Sequence, residues 1–229
     1  MNEKILRIGV LALQGDFALH ARALARCGSA SRDRSTGEAS PSSIGVEAVE
    51  IRKPDALEDV AGLIIPGGES TTLLKLMGEW KFVPAIEKFH AAGKPIFGTC
   101  AGLIVLARDV ESPRQFSLGL IDVAVERNAY GRQRDSFEAL GTAVLEGRRV
   151  PVTMVFIRAP RILRMGAGVE PLAEHRGETV MARQGSVVVA TFHPELTDDT
   201  TVHRYFCDLV HRGRMICHEE GTLGGRSAR

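Results

Sequence analysis

The chain has 229 residues, 44% of them apolar and 25% charged, with a formal net charge of +1. That is enough for one large domain with a full hydrophobic core, and the balanced charge argues against any general pull toward nucleic acid or an anionic membrane. The four cysteines, Cys27, Cys100, Cys207 and Cys217, lie far apart and form no C-x-x-C pair; neither a zinc ribbon nor a disulfide framework is indicated, and a reduced compartment, the cytoplasm by default, fits better.

In chain order, "ILRIGVLAL" reads as a strand. Its apolar run is short, ends at Gln14-Gly15-Asp16 and lacks a small-residue cleavage site, so it is not read as a signal peptide. "DFALHARALARCG" has helical periodicity and closes on Gly28. The segment from Ser29 to Ile44 is rich in Ser, Gly and charge and is expected to be a disordered insertion. "VEAVEIR" and "AGLIIPGG" follow as strands, "STTLLKLMGEW" and "VPAIEKFHAAG" as helices, "KPIFGTC" as a strand and "AGLIVLARDV" as a helix. Such alternation predicts a parallel sheet with helices on both faces. The second half changes character. "LGLIDVAVERN", "FEALGTAVLEG", "VPVTMVFIRAP", "VEPLAEHRG", "TVMARQG" and "SVVVATFHPE" read mostly as strands, some of them antiparallel. "DDTTVHRYFCDLVHRG" is a last helix, with Asp198 or Asp199 near its N-cap. The domain is expected to span 1–212, with a disordered tail over 213–229. No apolar segment is long enough to cross a bilayer.

"GTCAG" has the form G-x-C-x-G at a strand-to-helix junction. This is the pattern of a nucleophile elbow with Cys100 in the usual serine position. At the N-terminus of a helix the dipole favours a thiolate, and the Ala101 N–H faces any oxyanion formed on attack. A small buried core cysteine is the plainer reading; the paired glycines weigh against it.

A thiol nucleophile needs a base and the base an orienting group. His20, His90, His203 and His211 fall inside helical patterns, where a solvated or packed side chain is the simpler reading, and His175 falls in a turn. His193 ends the apolar strand "SVVVATF", and Pro194 and Glu195 follow. In an extended segment residues i and i+2 share a face, so Glu195 is expected to reach the His193 ring with Pro194 holding the pair extended. "IIPGGEST" is a third element, again between a buried strand and a helix, with two glycines able to present N–H groups to a carbonyl oxygen. Its plain reading is a tight turn with an N-cap at Ser70. All three elements fall at C-terminal ends of strands, where open α/β sheets bind ligands. The Gly67–Gly68 peptide can rotate at little steric cost, which suggests a donor that a partner docking near Gln14 switches into place.

"LALQGD", "PGGEST", "FGTCAG", "VERNAYGRQ", "FIRAP" and "FHPELTDD" together resemble the glutaminase subunits of pyridoxal 5'-phosphate synthase, a branch of the class I, triad-type glutamine amidotransferases. The likeness runs from about Ile5 to Val210. It implies a single flavodoxin-like α/β domain with a mixed, mostly parallel central sheet flanked by helices. It also implies a site: Cys100 as nucleophile on L-glutamine, His193 as proton shuttle, Glu195 as its orienting group, Gly68 and Ala101 as oxyanion donors, and Gly68, Glu69, Ser70, Arg127, Ile157 and Arg158 as substrate-binding positions. The two arginines suit a substrate carboxylate or the support of a pocket wall. The partner implied is a separate (β/α)₈ barrel synthase, which joins the ammonia to ribose 5-phosphate and glyceraldehyde 3-phosphate. No cofactor or metal is implied on this chain. The 29–44 segment departs from the resemblance as an insertion in a helix-to-strand connection.

Two other readings compete. One is a different cysteine hydrolase of the same fold; Glu195 two residues after His193 favours the amidotransferase. The other is a redox-sensing scaffold that uses Cys100 as an oxidisable thiol; an orienting glutamate is superfluous there.

Overall fold

The computed structural model describes residues 5–28, 45–127 and 136–223, with the side chains of 216–223 left aside. The expected insertion at 29–44 lies outside the described residues. The first half builds β1 (Leu6–Leu11), α1 (Phe17–Gly28), β2 (Val46–Ile51), β3 (Gly62–Ile65), α2 (Ser70–Glu79), α3 (Phe82–Ala91), β4 (Ile96–Thr99) and α4 (Ala101–Leu106). The second half builds β5 (Ala107–Glu111), β6 (Ile121–Glu126), β7 (Phe137–Leu145), β8 (Arg148–Phe156), β9 (Arg161–Met165), β10 (Glu170–His175), β11 (Glu178–Gln184), β12 (Val187–Ala190) and α5 (Thr201–Leu223). No described helix is long and apolar enough to cross a membrane.

Nine strands form one sheet in the order β2-β1-β3-β4-β12-β11-β10-β7-β8. The five from β2 to β12 pair in parallel, and the rest of the sheet continues antiparallel, through the hairpins β11–β12, β10–β11 and β7–β8 and the non-consecutive pair β10–β7. The two kinds of pairing are equal in number, so the sheet is mixed. β5, β6 and β9 form a separate small sheet.

The central strands are apolar on both faces because both are covered. Ile64, Phe97 and Val188 pack in one core with Leu24, Phe206 and Val210 of α1 and α5. Their neighbours Leu63, Ile65, Ile96, Val187 and Val189 pack in the other with Leu73, Met77, Ile86 and Leu103 of α2, α3 and α4. Fully buried aromatics such as Phe97 and Phe206 anchor the first core; removing such a ring typically costs about 3–5 kcal/mol.

Three details differ from the sequence expectation. The helix expected over "AGLIVLARDV" stops at Leu106, and Ala107–Glu111 forms β5. The carbonyls of its last turn are taken by a returning segment: Leu118 N–H donates to Val105, Leu120 to Leu106 and Gly119 to Ala107. These bonds satisfy carbonyls that a helix end leaves unpaired, and Ala107 turns to extended backbone. The last helix also passes the boundary expected at 212 and reaches Leu223. Arg212 bonds Glu146 and Arg214 donates to the Ile5 carbonyl, so the segment stays tied to the body beyond Val210. Finally, His175 ends β10 instead of lying in a turn.

Candidate active site

β12 comes last among the strands yet inserts beside β4, with Ala190 opposite Thr99. That pairing sets Cys100, one residue past β4, close to His193, three residues past β12. Cys100 takes φ 48°, ψ −102°, a conformation L-residues rarely adopt and one that stores about 1–3 kcal/mol. Two backbone bonds hold it there: Cys100 N–H donates to the Ala190 carbonyl at 2.9 Å, and its own carbonyl receives Ile104 N–H at 3.2 Å. The paired glycines have a packing role. A Cβ on Gly98 would meet the Gly102 carbonyl carbon at 2.7 Å, and one on Gly102 would meet the Ile65 oxygen at 2.1 Å. Glycine thus lets α4 sit directly on the sheet, while the strain falls on the cysteine itself.

His193 is fastened at its own N–H, which donates to the Val155 carbonyl at 2.8 Å. Its Nδ1 lies 2.7 Å from Glu195 Oε1, and the Cys100 side chain is close enough to favour charge on the ring. The expected pairing of His193 with Glu195 is present, but the backbone route differs. Pro194–Leu196 is a turn of 3₁₀-helix, not extended chain. His193 itself stays in the extended region that a following proline favours, and the turn then folds the carboxylate back onto the ring. Burial opposes charge on His193, yet Cys100 and Glu195 prevail and raise its pKa to about 10. Burial likewise pushes Glu195 upward; the attraction of His20 and the bond to His193 outweigh it and bring its pKa to about 2. Glu195 is therefore an anion and His193 a cation at neutral pH.

The "PGGEST" turn leaves β3 at the same sheet edge. A Cβ on Gly67 would stand 2.4 Å from His193 Cε1, so only glycine lets this turn close over the histidine. The Gly67 carbonyl faces Gly15, where an added Cβ would meet it at 1.8 Å. In a trans peptide the following N–H, that of Gly68, points the other way. Gln14 Oε1 accepts from Glu69 N–H at 3.1 Å. The N-cap of α2 is Glu69, not Ser70: its carboxylate accepts from Thr71 and Thr72 N–H at 3.1 and 2.7 Å. Against the upward push of burial, those bonds lower the Glu69 pKa to about 2. Ser70 opens the helix and donates to Gln115 at 3.3 Å. Arg127 Nη2 reaches Glu69 at 3.3 Å and Thr71 Oγ1 at 3.2 Å, which ties the small sheet to this turn.

A cavity of about 160 Å³ opens between these turns. It is lined by Asp16, Gly68, Glu69, Ser70, Cys100, Ile104, Arg127, Ile157, Arg158 and His193. It thus gathers every expected substrate-binding position, together with the nucleophile and its base. Arg158, like Cys100, takes a positive φ, 45°. Ala101, buried, is the first residue of α4. Glu195 stays behind the cavity wall, as an orienting group should. Sequence reasoning missed Asp16 and Ile104. Asp16 sits in the quoted "LQGD", and Ile104 falls one turn after the nucleophile on the same helix; that spacing was the available signal.

A model of the SNO glutamine amidotransferase family matches residues 10–212. The chain belongs to that family. Two relatives named pyridoxal 5'-phosphate synthase subunit PdxT are similar over nearly their whole length. The protein of Pelotomaculum thermopropionicum is 46% identical over 212 residues, 93% of this chain and 99% of its own. That of Desulforamulus reducens is 48% identical over 204 residues, 89% and 98%. A crystal structure described as a glutamine amidotransferase superposes with a TM-score of 0.76 at 44% identity, covering 89% of this chain and 98% of its own. The structure of PurLQS from Thermotoga maritima shares the fold at 17% identity, with a TM-score of 0.60 over 91% of this chain and 96% of its own. The family membership and α/β fold implied by the sequence motifs are borne out.

Proposed function

We propose that this glutamine amidotransferase hydrolyses L-glutamine through a Cys100 thioester and passes the ammonia to a separate barrel synthase that makes pyridoxal 5'-phosphate. The observation that carries the reading is His193, held between Cys100 and Glu195 at the wall of a cavity lined by Gly68, Glu69, Ser70, Arg127, Ile157 and Arg158. Cys100 attacks the side-chain amide carbon through Sγ as a thiolate, its proton being the one held by His193. The C–O π electrons move onto oxygen, and the Gly68 and Ala101 N–H groups receive that charge. His193, protonated at neutral pH, gives its proton to the amide nitrogen as the C–N bond breaks and ammonia leaves; it then takes a proton from the water that attacks the thioester, releasing glutamate and the Cys100 thiolate. Glu195 keeps the ring in the tautomer and orientation that both steps need.

Arg127 is occupied by Glu69 and Thr71, which suits a wall-supporting role. Arg158, exposed and at the rim, suits the substrate α-carboxylate. The free thiols Cys27, Cys100 and Cys207 favour a reducing, cytoplasmic setting. The test is to incubate the wild-type chain with a glutamine-analogue alkylator, with the barrel synthase present. Stoichiometric labelling of Cys100, blocked by glutamine, is expected. An unlabelled Cys100 beside active enzyme overturns the assignment.

A further inference from the structure

Behind the cavity lies a second polar cluster that the reaction above does not use. His20 on α1, Thr99 at the end of β4 and His203 on α5 are buried, each with 0% exposure. His20 Nδ1 is 3.0 Å from His203 Nε2. His20 Nε2 is 3.2 Å from Thr99 Oγ1 and 3.3 Å from Glu195 Oε2. That second approach lies off the hydrogen-bond axis: Glu195 Oε2 and His203 Nδ1 are the two atoms of the cluster left without an aligned partner. None of the three residues lines the cavity.

Elementary donor counting assigns the protons. A carboxylate only accepts; with its hydrogen on Nε2, His20 donates to Thr99 Oγ1 and turns that positive edge toward Glu195 Oε2, 3.3 Å away and not hydrogen-bonded to it. Burial lowers the pKa of His20, against the pull of Glu195. Burial, reinforced by His20, lowers that of His203 to about 3. Both rings are neutral at neutral pH. His20 Nδ1 is then an acceptor, His203 Nε2 is its donor, and His203 Nδ1 is a bare lone pair, matching its lack of a partner. The hydrogen bonds then run from His203 to His20 to Thr99, and the same edge of His20 stands 3.3 Å from the carboxylate that His193 bonds.

We propose that His20, oriented by His203, is a positioning residue for the reaction: it holds the far oxygen of Glu195 and, through Thr99, the backbone that carries Cys100. The inference rests on the Cys100–His193–Glu195 reading. Glu195 is 3% exposed, so no water shell steadies its charge; its own backbone N–H supports the carboxylate, and the His20 ring stands 3.3 Å from Oε2. Without it the carboxylate is a weaker anion and a weaker anchor for His193. The other ionisable groups that act on the cluster are Asp16, which pulls on His20 from the approach to α1, and Arg26, which repels charge on His203.

The experiment compares full-length wild type, His20→Leu, His20→Gln and His203→Leu. Two quantities are measured: the His193 ring titration by NMR in the free chain, and kcat and KM for glutamine with the barrel synthase present. In His20→Leu the His193 midpoint should fall by about one pH unit or more. Its kcat should drop roughly tenfold, with KM unchanged. His20→Gln, which restores an N–H near the Nε2 position, should recover most of both, and His203→Leu should show a smaller loss of the same kind. A His193 midpoint that ignores His20→Leu overturns the proposal, as does a loss confined to KM. Should His20→Leu not fold, the wild-type ¹H–¹⁵N ring spectrum decides. His203 must be an Nε2–H tautomer that gains no proton as the pH is lowered through 6.5, the ordinary histidine value, and His20 an Nε2–H tautomer with a midpoint below 6.5; any other result sinks the proposal. The underlying triad reading fails differently, as wild type that is not labelled at Cys100.

Discussion

Two turns leave the same edge of the sheet side by side, and they are built on opposite plans. The elbow after β4 places a non-glycine residue, Cys100, at φ 48° and locks it with backbone bonds to Ala190 and Ile104. Gly98 and Gly102 are jammed against neighbouring backbone, so nothing there can move. The turn after β3 puts glycines at the centre, with Gly68 at φ 148°. The Gln14 side chain borders it and holds Glu69 N–H. The elbow is a fixed mount for the nucleophile. The glycine turn is the one expected from the sequence to be adjusted by a docking partner, although its glycines too are closely packed, against Gln14 and His193.

The largest effect should come from the fixed mount. Cys100→Ala is expected to abolish glutamine hydrolysis while the melting temperature stays near wild type, because alanine keeps the same Cβ in the same buried place. With the synthase and ammonium salt supplied, product should still form, since only the ammonia source is lost. A failed rescue assigns Cys100 to docking or folding instead.

The adjustable turn predicts a different behaviour. The free chain should hydrolyse glutamine slowly and the synthase should accelerate it, by a factor on the order of 10²–10³ if one oxyanion donor is aligned on docking. Gln14→Ala should lower the stimulated rate more than it changes labelling of Cys100. Equal glutamate release with and without synthase removes the distinction drawn between the two turns. Where the turns touch, Gly67→Ala should cost about 10²-fold in kcat, because its Cβ lands on the His193 ring, and displacements near 1 Å carry costs of that size. An unchanged kcat there shows that the glycine turn yields even at its closest contact.

Titration probes the elbow's buried support. The folded pKa of His203 is lowered to about 3 from 6.5, and that of His20 is lowered too. Below pH 6.5 the unfolded chain therefore binds protons that the folded chain refuses, and stability falls with pH. Each histidine contributes up to about 1.4 kcal/mol per pH unit. His193 has the opposite sign: its stabilising share is fully present below 6.5 and is lost as pH rises through about 10. Glu195 adds its own loss only as pH falls from 4.5 toward about 2. Between 6.5 and 4.5 the histidine pair lowers stability as pH falls, opposed by Asp208, whose carboxyl pKa is shifted upward by burial. Urea midpoints should decline across that range in wild type and decline less in His203→Leu. A flat wild-type curve shows that the cluster takes up protons without cost.

The elbow, the His193–Glu195 spacing and the alternation of the first half were legible because each is a local signal: a motif, a two-residue offset, a periodicity. Most of what was missed depends on contacts distant in sequence. The end of α4 is set by residues 118–120 returning to its carbonyls. His20 and His203 look like ordinary helical histidines in a one-dimensional reading; they meet across 183 positions only because α1 and α5 cover the same face of the sheet. The 3₁₀ turn at Pro194 shows a gentler failure. The predicted contact is there, but the backbone that delivers it is curled, since a proline restricts the residue before it more than those after it.

The smallest expected effect concerns the stretch between α1 and β2. α1 ends at Gly28 and β2 begins at Val46. Val46 pairs with Leu6, and the neighbouring strands begin at Gly62 and Ile96, so this connection is anchored at the N-terminal edge of the parallel strands. Cys100 and both turns lie at the opposite edge. Shortening a loop changes its closure free energy by only about 0.6 kcal/mol per halving of length. Replacing 31–43 with a short Gly-Ser link should therefore leave the rate nearly unchanged, with or without synthase, and shift stability slightly upward if at all. A tenfold loss of rate, equivalent to about 1.4 kcal/mol, is incompatible with an anchor so remote from the chemistry. If that loss appears only with the synthase present, the segment touches the partner. If it appears in Cys100 labelling of the free chain as well, the insertion reaches across the sheet to the fixed elbow, and the division between a rigid and an adjustable turn must then include a third contributor.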